Sequence, residues 1–206
     1  MTRDIRNEAT EKEVQTLALQ DDFTKEFIPS TEEADGYYEL KSGIDGYTML
    51  FPVNATMDQT YYQYRGQSYE AIYFSETQEE NNYSYSVRGR FEDRDISQWI
   101  ESNLDLLIGS TDSITVEDFE KYTVNNNDVY FAEYTQETSE KKDGFTYHFL
   151  SYVKSQANNK AMSISYSSSC VNEKENCALN QDLERERAKK IFHSVRFTPS
   201  STLEDK

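Results

Sequence analysis

A chain of 206 residues with 38 acidic and 21 basic side chains, net charge −17, is long enough to bury one substantial core. It is too acidic to favour phosphate backbones or anionic membrane surfaces, so nucleic acid is excluded as an expected partner. Its 16 Tyr and 11 Phe make the expected core aromatic-rich, and no run approaches the roughly 20 apolar residues that span a bilayer.

Residues 1–35 carry no strand signal and hold ten acidic against four basic side chains. Val14, Leu17 and Ala18 allow a weak helix there, with a stripe too narrow to dock firmly. The segment therefore reads as an acidic arm, weakly helical or disordered, from which Phe23, Phe27, Ile28 and Pro29 reach towards a domain spanning 36–198. Residues 199–206 read as a frayed end. Met1 to Arg6 lacks an apolar signal core, so a signal or lipid-anchor segment would lie upstream of Met1.

From Gly36 onward period-2 alternation dominates, punctuated by turns at Asp35-Gly36, Asp45-Gly46, Asn125-Asn126-Asn127 and Asp143-Gly144. The expected strands are 37–41, 47–53, 68–75, 83–91, 113–124, 128–137, 145–155 and 160–168. The clearest sets Met162, Ile164 and Tyr166 against Ser163, Ser165 and Ser167, one dry and one wetter face. Pro52 requires its strand to lie at an edge or to end there.

Two segments have helical spacing instead. Ile96, Trp99, Ile100, Leu104, Leu107 and Ile108 form one stripe, with Asp95 and Gln98 as a capping box and Gly109 as a stop. Leu179, Leu183, Ile191 and Val195 line a second helix whose charges run from acidic to basic, as the helix dipole favours. Both helices are expected to roof the apolar side of the sheet.

The opening Tyr47-Thr48-Met49-Leu50-Phe51-Pro52, the helix around Trp99 and the segment from Ile114 to Val124 come in a set order. The aromatic strands around Val129 to Tyr134 and Phe145 to Val153 follow, then the ending Ile191-Phe192-His193-Ser194-Val195-Arg196-Phe197. In that order the chain resembles the PsbP-like group, which holds the photosystem II extrinsic protein PsbP, a small Ran-binding nuclear import factor and bacterial envelope lipoproteins of unknown role. The resemblance implies an α+β fold, an α/β/α sandwich whose central antiparallel sheet of about 6–8 strands is flanked by helices. It also implies a scaffold that binds other proteins, with no catalytic residues to carry over. The acidic arm, the Tyr enrichment and the cysteine loop depart from the group.

Cys170 and Cys177 bracket a polar loop with no other cysteine or His cluster nearby, which fits a local disulfide better than a zinc site; a redox switch is the sharper alternative. Closing so short a ring contributes roughly 2 to 3 kcal/mol and argues for an extracytoplasmic, envelope-associated setting. The two histidines, His148 and His193, read as structural, the second at a helix end that favours a cation. Hydrolase, zinc-protease and nucleotide-loop motifs are missing, so no catalytic residue, cofactor or metal is expected. The abundant carboxylates leave a glycan-acting enzyme as one alternative; a cytoplasmic transport adaptor is another. Tyr61, Tyr62, Tyr64, Arg65 and Tyr69, with Tyr73 close by, form the expected binding patch for a protein or glycan partner, since Tyr offers contact area at small entropic cost. Cross-strand aromatic pairing explains the same residues without a partner.

Overall fold

The computed structural model describes residues 16–137, 144–172 and 175–199. In chain order, α1 (Leu17–Gln20) and α2 (Asp22–Lys25) precede β1 (Tyr37–Lys41), β2 (Tyr47–Pro52), β3 (Thr56–Met57), β4 (Gln63–Arg65), β5 (Tyr69–Gln78) and β6 (Tyr83–Asp93). After α3 (Ile100–Ile108) come β7 (Glu120–Val124), β8 (Asn127–Glu137), β9 (Phe145–Ser155), β10 (Lys160–Cys170), α4 (Gln181–His193) and β11 (Arg196–Phe197).

The strands form an eight-stranded antiparallel sheet in the order β3-β5-β6-β10-β9-β8-β7, with β4 also on β5, and a second sheet in the order β1-β2-β11. This is an α+β fold with a large central sheet between helical layers. In β5 and β6 burial alternates along most of each strand, placing Ile72, Phe74, Val87 and Phe91 on one face, whereas β9 is buried continuously along its second half and β10 along its first. That face, with Met162, Ile164 and Tyr166, packs on β1, β2 and α4 through Leu40, Met49, Phe51, Ala188 and Ile191. Gly89 in β6 keeps this layer thin, since a Cβ there would lie 2.5 Å from Met162 Cε.

The two main helices lie on opposite faces of the large sheet, contrary to the expected shared roof. Leu104 of α3 packs with Tyr152 and Ala161, and Leu107 and Ile108 pack with Ile114, Ala132 and Leu150, all on the serine-bearing side. The period-2 pattern places both sets correctly; what it omits is that the second face also carries enough apolar side chains to take a helix of its own. The small sheet shares the other face with α4, and Pro52 ends β2.

Local differences have local causes. Residues 95–108 are a 3-10 turn (Asp95–Gln98) followed by α3, and Asp95 and Gln98 do not cap each other. Both bind Asn159 in the β9–β10 turn instead, at 2.7 and 2.6 Å. This break rotates Trp99 out of the stripe, leaving it 63% exposed. Residues 113–119 are not strand, because Asp118 accepts hydrogen bonds from the Thr115 amide and hydroxyl and winds Val116–Asp118 into a turn. In α4 the buried stripe is Glu184, Ala188, Ile191 and Phe192, so Leu183 is exposed. Glu184 turns inward to hydrogen-bond the Tyr166 hydroxyl and Arg187.

Residues 16–28, assigned above to the arm, are part of the core. The Ala18 amide donates to Val53 O at 3.0 Å, the Lys41 amide to Phe27 O at 2.8 Å, and the Met57 amide to Thr24 Oγ1 at 2.8 Å. Ala18 and Thr24 are fully buried, and Phe27 and Ile28 are buried. Residues 29–35 of the expected arm are exposed; its first fifteen residues, 1–15, and residues 200–206 of the expected frayed end lie outside the described residues.

Candidate functional site: an open serine and arginine face

On the α3 side of the large sheet, α3 lies over β9 and β10, while the neighbouring strip of β5 and β6 is open. Strand register assembles that strip in rows. Tyr73, Arg88, Ser165 and Leu150 form one row, and Ala71, Arg90, Ser163 and Tyr152 the next. Ser75, Ser86, Ser167 and His148 form a third. Short hydroxyl side chains leave the surface low, so the arginines and tyrosines stand above it.

Aromatic and guanidinium planes are layered at one end. The Tyr61 ring lies 5.1 Å from Tyr73, and Arg88 lies 5.9 Å over the other ring of that pair. Arg65 lies 5.4 Å over Tyr69. Between β6, β10 and α3 is a recess of about 190 Å³ lined by Arg88, Arg90, Ser163, Ser165, Leu106 and Leu107.

The five residues singled out from sequence do not form one patch. Pairing of β4 with β5 sends Arg65 to the open face beside Tyr69, while Tyr62 and Tyr64 fall on the opposite side of the ribbon. Tyr62 packs edge-on against Phe23 and Phe27 and donates to Glu70 Oε1 at 3.0 Å. Burial and then Glu70 raise its phenol pKa, which suits a fixed structural hydroxyl. Tyr64 is exposed and in ring contact with Tyr62. Tyr61, Arg65 and Tyr69 therefore share the open face with Tyr73, Arg88 and Arg90. Sequence reasoning passed over Arg88 and Arg90; the signal was Val87-Arg88-Gly89-Arg90-Phe91, two cations at period 2 in a very acidic chain.

The other notable polar groups are structural. Glu70 is fully buried and accepts from the Gly43 amide at 2.8 Å as well as from Tyr62. Glu184 has its pKa raised by burial, but it lies beneath α4 between Tyr166 and Arg187 rather than in a cleft. Glu133, in the groove of about 580 Å³ beside α4, is held by two Arg185 hydrogen bonds at 2.6 and 2.8 Å. Among the described residues no group of three His, Cys, Asp or Glu side chains is arranged to hold a metal ion.

His148 Nδ1 lies 2.8 Å from Ser167 Oγ, its ring stacks on Tyr134, and Nε2 is buried without a hydrogen-bond partner. Burial lowers its pKa. His193 Nε2 lies 2.8 Å from the Tyr122 hydroxyl. The sequence expectation of a favoured cation there is reversed, because burial and then Lys189 lower the His193 pKa.

Cys170 and Cys177 are joined as a disulfide, with Cα atoms 5.9 Å apart. The bridge closes the loop between β10 and α4.

A protein-family model described as "Putative lipoprotein YvcA" (YvcA_Mog1p) matches residues 14–196. The protein of that name from Bacillus subtilis (strain 168) is 26% identical over 188 residues, covering 89% of this chain and 77% of the relative. The 1.9 Å crystal structure of the Saccharomyces cerevisiae Ran-binding protein Mog1p is similar over 78% of this chain and 94% of its own, at 11% identity and a TM-score of 0.47. The match begins at residue 14, ahead of the buried contacts of Ala18 and Thr24, and runs to Arg196 in the closing strand. The chain thus belongs to the YvcA/Mog1p family, within the wider group that its strand, helix and closing-segment motifs resemble.

Proposed function

We propose that the protein is a non-enzymatic binding or scaffold module of the bacterial envelope, positioned outside the cytoplasm, whose protein partner docks on the open face of the large sheet. One observation carries the reading: Tyr61, Tyr73 and Arg88 present a layered aromatic and guanidinium surface above a low serine floor, with no described helix over it. Tyr and Arg together are the side chains that most often anchor interfaces. The Cys170–Cys177 bridge supports an oxidising compartment, and the lipoprotein name of the Bacillus relative supports envelope attachment.

Photo-crosslinking residues placed at Tyr61 and Arg88, in the native host, test the surface; the same residue at exposed Glu39 on β1 is the control. One partner captured from both test positions and not from Glu39 is the expected result. Equal capture from all three positions, or none from any, removes the proposed surface. Location is tested separately by alkylating the denatured, unreduced protein taken from cells: thiols that react freely at Cys170 and Cys177 would contradict an extracytoplasmic setting.

A further inference from the structure

We infer that the recess formed by Arg88, Arg90, Ser163 and Ser165 is a binding site for one oxyanion, a carboxylate or a phosphate, carried on an apolar or chain-like group. The inference deepens the binding reading above and rests on it in one respect, that this face takes a ligand.

Charge is the first ground. In a chain of net charge −17, neither Arg88 nor Arg90 has an ion-pair partner among the described residues, although Arg94, Arg185 and Arg187 each have one. The carboxylate nearest in sequence on their face, Glu92, is engaged by Arg94, with Nε 2.7 Å from Oε2. Arg88 lies over the Tyr73 ring, and a ring contact leaves its N–H groups free to donate.

Geometry is the second. Residues two apart on a strand share a face at roughly 7 Å separation, close enough for two long guanidinium side chains to converge on a single anion. Ser163 stands directly across from Arg90 and Ser165 across from Arg88, adding hydroxyl donors between them. Such a planar array of N–H and O–H donors matches carboxylate and phosphate oxygens.

An unmet donor is the third. Arg90 Nε is buried without a hydrogen-bond partner. Native proteins rarely leave such a group unsatisfied, and an oxyanion in the recess would supply the acceptor. Leu106 and Leu107 wall the opposite side, which lowers the local dielectric and strengthens the charge interaction. A volume of about 190 Å³ admits one anionic group with a few carbons. Leu106, 62% exposed at the mouth, gives the attached group an apolar surface to follow.

The test titrates the purified full chain with inorganic phosphate, with butyrate and with sodium chloride at matched ionic strength, following the arginine Nε–H resonances and the Ser163 and Ser165 amides by NMR. Saturable shifts at Arg90 with one oxyanion, at least tenfold tighter than chloride, are expected. Phosphate against butyrate decides which oxyanion the site prefers. Arg90→Gln should abolish the response and Lys41→Gln, on the small sheet, should leave it within twofold; if Arg90→Gln does not fold, exposed Arg88→Gln serves, with an expected loss of tenfold or more. Responses that match chloride, or that survive Arg88→Gln, overturn the inference. Capture of a partner from Tyr61 together with a silent titration would sink the oxyanion site alone and leave the docking surface standing.

Discussion

Asn82 and Asn172 exchange two hydrogen bonds: Asn82 Nδ2 donates to Asn172 O at 2.8 Å, and the Asn172 amide returns one to Asn82 Oδ1 at 2.9 Å. Asn82 sits in the left-handed region at φ 53° in the turn between β5 and β6, a conformation asparagine tolerates better than most residues. Its Nδ2 also donates to Glu175 O and Asn176 O, at 3.4 and 3.3 Å, so a turn remote in sequence holds the disulfide loop from outside. The covalent bridge and the asparagine clamp act on the same short segment.

That sharing predicts coupling. Replacing both Cys170 and Cys177 by Ser should cost about 2 kcal/mol of stability, the chain-entropy value for so short a ring. Asn82→Ala should cost a similar amount, about 1–3 kcal/mol, from lost hydrogen bonds and backbone strain. The combined variant should lose less than the sum, because a loop freed by one change has less order left for the other to remove. Urea unfolding of the four proteins measures this, and strict additivity would show that clamp and bridge act independently.

Among the described residues, Arg187 is the cation that pairs with buried Glu184, to which it donates at 2.7 Å while lying 4.9 Å over the Tyr85 ring. Arg187→Met should therefore destabilise by about 3 kcal/mol, because it leaves a buried carboxylate without its countercharge. Adding Glu184→Gln to that variant should recover part of the loss, since a neutral amide no longer needs it. Thermal unfolding of the single and double variants is the measurement; an equally unstable double variant would mean that lost packing, not charge, dominates.

The histidines set a pH dependence. Burial lowers the His148 pKa, and burial followed by Lys189 lowers that of His193, so both bind a proton less readily when folded. Unfolding then takes up protons between the folded and unfolded values. Their contribution is complete above about pH 6.5, the unfolded value, and is lost as pH falls from there through the folded values. A protonated His148 would also carry a donor at Nε2, which has no acceptor. Unfolding midpoints between pH 7.5 and 5.5 should fall, and His148→Gln should flatten the slope. An unchanged slope would place the dependence elsewhere.

Alternation and turn chemistry determined much of this protein. Met162, Ile164 and Tyr166 face the core and Ser163 and Ser165 face away because side chains on a strand alternate with period 2, whatever surrounds them. Asp45, Asn125 and Asn126 mark turns because their residue types accept positive φ. The short Cys170 to Cys177 spacing made a local bridge legible for the same reason: it needs no distant partner.

Only the tertiary structure decided which side each helix takes, because the amphipathic stripes of α3 and α4 specify that a face is buried and not against what. It also drew Ala18, Thr24 and Phe27 into the core: contacts with Val53, Met57 and Lys41 are made across a chain separation that no local pattern encodes. The candidate site follows the same rule. Tyr73, Arg88, Arg90 and Ser163 meet through the register of three strands, with Tyr61 brought alongside by the turn before β4, a pairing set by long-range packing, while Tyr62 and Tyr64 point away from it.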